Sequence, residues 1–180
     1  LDVQTTLFDG LDAVTAGQVK TPQANEAQAG ALGSLASERN GALADGGTAL
    51  RALGSARALA ADGAATGAAD DVPGTLVSVV AAVLGRAEVT EDFGPVVAAT
   101  LDGLGEASLY GAGEGEAPKT VERDGFGYGA RRVAAGAAAA ADLSSPGGAK
   151  AQLGGAAACG ATAGESVDAV RGAVYRELEG

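Results

Sequence analysis

Histidine, methionine and tryptophan are missing from this 180-residue chain, cysteine occurs once, and three Phe and three Tyr are its only aromatics. Without histidine there is no Ser-His-Asp or Cys-His nucleophile, no imidazole metal ligand and no side chain that ordinarily exchanges a proton near neutral pH. Haem is disfavoured as well, since neither of its usual nitrogen and thioether ligands occurs. The lone Cys159 cannot close an intramolecular disulfide or build a cysteine zinc site. Set among Gly and Ala, it reads as a small buried side chain.

Positive charge is also scarce. Lys20, Lys119 and Lys150 are the only lysines, and the net charge is −11. Such a chain gains nothing from counterion release on nucleic acid, and anionic lipid repels it; a basic protein surface is the partner its charge suits. No apolar run reaches the roughly 18 residues of a membrane span. The chain opens on Leu1 without an initiator Met, which we read as a processed N-terminus, compatible with export or an organelle lumen; the compartment itself is not encoded.

What the chain does have is small residues: about a quarter is Ala, and Gly contributes 30 positions. A core of such thin side chains fills space only if backbones approach closely. The most apolar stretch is Val72–Ala87. Leu76, Val79, Val80 and Val83 recur at helical spacing, and Val77 and Leu84 make the other side apolar too. A helix apolar nearly all round belongs in an interior, so this stretch is expected as a buried central strut. Its valines leave a strand near 75–80 as the alternative.

Amphipathic segments surround it. Val3, Leu7, Leu11 and Val14, with Phe8 beside them, form a stripe over Asp2–Lys20. Thr21-Pro22 is a cap followed by proline at the first helical position. A long helical stretch then runs to about Asp62, with breaks expected at Asn40-Gly41 or Gly46-Gly47. A helix starts near Thr90-Glu91-Asp92 and presents Phe93, Val96, Val97, Leu101 and Leu104. Gly111–Gly129 alternates glycine with other residues, which opposes helix, and is expected as an irregular loop. Arg131–Leu143 and Lys150–Cys159 are expected as Ala-rich helices, and Thr162–Glu165 as the capping box of a last helix carrying Val167, Val170, Val174 and Leu178.

No arrangement fixes a chemistry. Asp70-Asp71, Glu88/Glu91/Asp92 and Glu114/Glu116 read as solvated helix starts and loop charges rather than a catalytic carboxylate pair. No Asp-rich calcium loop occurs. Gly111-x-Gly113-x-Gly115 and Gly125-x-Gly127-x-Gly129 lack the rest of a phosphate loop. No catalytic, metal or cofactor site is therefore expected.

The sequence thus predicts an all-α protein: one domain over residues 1–180, a bundle of four to six helices with a Gly-rich loop at 111–129, and α/β with a strand near 75–80 as the alternative. The expected function is a non-catalytic structural or docking subunit of a larger assembly; an extrinsic lumenal subunit of a photosynthetic membrane complex, peripheral to the membrane, is one concrete form. A binder or enzyme for a small apolar ligand between helices, and a self-assembling coat component, are the rivals. Tyr110, Phe126, Tyr128, Arg131 and Arg132 are the expected interface anchors, because aromatics and arginine dominate interface energetics.

Overall fold

The structure, a computed structural model, describes residues 3–37, 43, 45–69, 71–86, 92–123, 126–134, 142–144, 150–152 and 166–174. Helices dominate: α1 (Val3–Gly17), α2 (Pro22–Ala36), α3 (Gly46–Thr66), α4 (Val72–Arg86) and α5 (Phe93–Ser108). The strands come afterwards: β1 (Lys119–Arg123), β2 (Phe126–Ala134), β3 (Asp142–Ser144), β4 (Lys150–Gln152) and β5 (Ser166–Val174).

The central strut is a helix, so the alternative of a strand near 75–80 is not realised. Leu76, Val77, Val79, Val80 and Val83 of α4 are at most 1% exposed. The Thr75 N–H donates to the Asp71 carbonyl at 2.9 Å, closing the first turn, and Pro73 sits in that turn, where a missing N–H costs no intrahelical bond.

The stretch from Thr21 to Asp62 is divided between two helices, each started by a side chain. Thr21 Oγ1 accepts from the Ala24 N–H at 3.1 Å, ahead of Pro22. Asp45 caps α3, its Oδ2 accepting from both the N–H and the hydroxyl of Thr48 at 2.9 Å. Those bonds favour the ionised carboxylate and hold the Asp45 pKa below its ordinary value. The predicted break at Gly46-Gly47 thus falls at the start of α3, and Asn40-Gly41 lies outside the described residues.

Helix α1 packs with a different face from the predicted stripe. Phe8 is fully buried and Leu11 is 9% exposed, whereas Leu7 and Val14 are 49% and 47% exposed. Burial of Phe8 favours this rotation, and polar contacts with α3 accompany it: Arg51 bonds Asp9 and, at 3.3 Å, Asp12, and the Ser55 hydroxyl donates to Asp12 at 2.8 Å.

The small residues do the expected work between α3 and α5. A β-carbon on Gly103 would stand 3.3 Å from that of Ala60, and one on Gly63 would stand 3.2 Å from that of Ala107. The backbones therefore approach at positions where larger side chains do not fit.

Past α5 the expected helices give way to antiparallel strands. One sheet has the order β1-β2-β5, and β3 pairs with β4. The expected loop at 111–129 is irregular only to about 118; Lys119 pairs with Ala130 and Arg123 with Phe126. The helix expected from Arg131 is instead the end of β2, which pairs through Ala134 with Ser166 of β5. Ser166–Val174, expected as the last helix, and Lys150–Gln152, expected as the start of an Ala-rich one, are strands. Leu178 and Cys159 lie outside the described residues. The physical reason is on β2: Phe126, Tyr128 and Ala130 alternate with glycine and Arg131, a period of two, and all three join the buried cluster that α4 and α5 build. Pairing on both sides satisfies the glycine-rich backbone, and β-branched Val167, Val170 and Val174 suit a strand better than a helix.

A candidate docking cleft at the end of helix α5

Helix α5 stops at Ser108 by folding its last amides back. The Leu109 N–H donates to the Gly105 carbonyl at 3.0 Å, Tyr110 N–H to Ala107 at 3.3 Å and Ala112 N–H to Leu109 at 3.0 Å. Gly111, at φ +72°, then turns the chain through a conformation few other residues adopt. The following loop is pinned at three points. Glu116 Oε1 accepts from the Gly113 N–H at 3.0 Å. Arg132 Nη1 donates to the Ala112 carbonyl at 2.7 Å, and Gly115 N–H donates to the Arg132 carbonyl at 3.2 Å.

Between this loop and the helices opens a cleft of about 270 Å³. Ala68, Ala69 and Pro73 form one wall, the end of α5 and Tyr110 another, and Lys119–Val121 of β1 the third. Tyr110 stands at the rim, 57% exposed. Its ring lies over Gly67, a glycine at φ +84°. Exposed Glu116 and Lys119 line the cleft, and Asp71, Glu106 and Glu114, all exposed, flank its lining residues along the chain. The lining itself carries one charge of each sign, Glu116 and Lys119, with the Arg132 guanidinium bound to Ala112 of the lining.

β1 is an edge of its sheet, and among the described residues no strand pairs with its outer side. Two residues separate Arg123 from Phe126, which face each other in register. A hairpin that tight closes on a hydrogen-bonded pair, so Val121 and Arg123 bond inward to β2, while Thr120 and Glu122 direct their N–H and C=O groups to the outer edge. Thr120 is exposed and borders the cleft.

The five predicted anchors are not one surface. Tyr110 is exposed at the cleft. Phe126 and Tyr128 are 3% and 1% exposed, so they are core residues and not contact residues as placed; in a chain with so few large side chains, the sheet uses its aromatics to seal against the helices. The Tyr128 hydroxyl donates to the Leu101 carbonyl at 3.3 Å. Burial, and then the negative charge of Asp102, push its pKa far above the ordinary tyrosine value, partly opposed by Ser108, so the phenol stays neutral. Arg131 and Arg132 are consecutive strand residues and project to opposite faces of the sheet. Arg132 holds the loop behind Tyr110. Arg131 is half-buried, with its Nε unpartnered.

Sequence reasoning missed Gly67, Lys119 and the β1 edge. Pro118 followed by Lys-Thr-Val-Glu-Arg carries the signal of an edge strand, β-branched residues framed by proline and charge. Among the described residues no group of three or more Cys, Asp or Glu side chains is placed to hold a metal ion, and no helix is long and apolar enough to cross a membrane. Comparison with protein-family models, with curated proteins and with solved structures returned no match to the chain.

Proposed function

We propose that the protein is a docking subunit that receives an extended segment of a partner protein along β1, with a partner side chain in the cleft beside Tyr110. The observation that carries this reading is the exposed Tyr110 ring, held on a pinned turn at the rim of a cleft of about 270 Å³. A tyrosine so placed offers large contact area at little cost in side-chain entropy. The neighbouring strand edge supplies backbone donors and acceptors for strand addition. The net charge of −11 favours a segment carrying Lys or Arg.

The rival, a purely apolar ligand, fits this cleft less well, because Ser108, Glu116, Lys119 and Thr120 are among its lining residues and would lose water to it without compensation. The test is native purification from the source cell with wild-type and Tyr110→Ala protein as bait, followed by mass spectrometry. The expected result is one or more basic partners that Tyr110→Ala fails to retain at an unchanged melting temperature. Recovery with a membrane complex would narrow the partner to the extrinsic-subunit class. Equal recovery by both baits sinks the site; particles large enough to scatter light from the purified protein alone would favour a coat component instead.

A further inference from the structure

On the far side of Gly63 from the cleft, where α1 turns into α2, a small cavity is walled by polar side chains from three helices. Its volume is about 10 Å³, and Thr15, Gln18, Thr21, Asn25, Gln28 and Asp62 line it. Asn25 is the informative residue. It is 3% exposed, on a helix face where the other buried residues are mostly Ala and Leu. Asparagine is a poor choice for a helix unless its amide is used. Half of that amide is used: Nδ2 donates to the Leu59 carbonyl of α3 at 2.8 Å. The other half, Oδ1, is buried without a partner.

The neighbouring groups are largely committed. The Thr15 hydroxyl donates to the Leu11 carbonyl at 2.8 Å, and Thr21 Oγ1 accepts the capping N–H of Ala24. Gln28 Nε2 donates to Gln18 Oε1 at 2.9 Å. Lys20 is ion-paired with Asp62 at the rim, the lysine 60% and the aspartate 14% exposed. An occupant must therefore donate a hydrogen bond to Asn25 Oδ1, be no larger than one heavy atom, and carry no charge, because Asp62 is already neutralised by Lys20.

We propose that this cavity is the binding site of a single water molecule, which donates to Asn25 Oδ1 and links the α1–α2 turn to α3. The volume is that of one water, and a polar lining is what distinguishes a filled cavity of this size from a dry one. The Lys20–Asp62 pair closes the rim and slows exchange with bulk water.

The experiment is water–protein cross-relaxation by NMR on the full chain. A long-lived water signal to the Asn25 side-chain amide protons is expected, lost in Asn25→Leu. Because that variant leaves a larger side chain in a tight place and is at risk of misfolding, Lys20→Gln is the second arm. It leaves Asn25 and the inner lining in place, changes only Lys20 at the rim and removes the ion pair, and the water residence time should shorten severalfold. A wild-type protein with no long-lived water at Asn25 overturns the site, and a residence time unchanged in Lys20→Gln overturns its location in this cavity. A saturable shift of the Asn25 side-chain signals with sodium or ammonium chloride also overturns it, since the occupant is then an ion. This inference is independent of the docking reading.

Discussion

The Tyr110 ring lies against Gly67, so that a β-carbon there would stand 3.2 Å from both Cδ1 and Cε1 of the tyrosine. Gly67 also ends α3 at φ +84°, a backbone conformation that L side chains rarely adopt. One glycine therefore serves two purposes: it lets the chain leave α3 toward α4, and it gives the exposed tyrosine a flat support.

Gly67→Ala should be costly on both counts. We expect a loss of about 1–3 kcal/mol in urea unfolding from backbone strain, with displacement of the Tyr110 ring. With no tryptophan in the chain, the displacement appears in tyrosine fluorescence as the part of the signal that Tyr110→Phe removes from the wild-type spectrum. A variant with unchanged stability and an unchanged tyrosine spectrum would show that the ring does not rest on Gly67.

Glycines inside α3 should divide by their surroundings. A β-carbon on Gly63 meets Ala68 at 3.1 Å and Ala107 at 3.2 Å, whereas one on Gly54 meets nothing within 4 Å. Gly63→Val should destabilise by about 1–3 kcal/mol through overpacking against α5. Gly54→Ala should stabilise by about 0.5–1 kcal/mol by removing the conformational freedom of glycine from a helix interior. Chemical denaturation of both variants checks the pair; equal effects would mean that α3 and α5 do not approach through small residues.

These same glycines show why the helical part was legible. Caps at Thr21 and the all-round apolar run of α4 are local signals, and local signals decide helices. The strands depend on pairing between residues distant in sequence, as Val133 with Val167, and no local periodicity encodes a partner. Val167, Val170 and Val174 also fit a helical stripe, so their spacing points to a helix while their β-branching points to a strand. Phe126 and Tyr128 are buried for a related reason. Phe126 and Tyr128 alternate with Gly127 and Gly129, a pattern that opposes a helix but also marks one buried face of a strand. Tyr110 could be placed outside because it follows the last apolar turn of α5.

Tyr128 gives the protein a pH limit. Its pKa is raised in the folded state by burial and by Asp102, so the folded chain holds the phenolic proton more tightly than the unfolded chain does. The resulting stability is complete below the unfolded tyrosine pKa of about 10 and is lost as pH rises beyond it. Tyr128→Phe should cost about 0.5–1.5 kcal/mol at neutral pH for the lost bond to Leu101, yet unfold at a higher alkaline midpoint than wild type. Melting curves across that pH range decide it; identical alkaline midpoints would mean that Tyr128 does not set the limit.

Thr120 separates strand addition from docking by side chains alone. Its N–H points to the outer edge of β1 and makes no ladder bond to β2, so Thr120→Pro removes a donor that only a partner strand would use. Proline is tolerated at such an edge position, and the melting temperature should stay close to wild type. If a partner segment adds to β1, Thr120→Pro and Tyr110→Ala should both lose it in the same co-purification. If Thr120→Pro retains the partner while Tyr110→Ala does not, the cleft is the docking site and the strand edge is not part of it. Because Thr120 also lines the cleft, Thr120→Val is the control: it changes the side chain but keeps the N–H, so loss of the partner in Thr120→Pro but not in Thr120→Val identifies the backbone bond as what the partner reads.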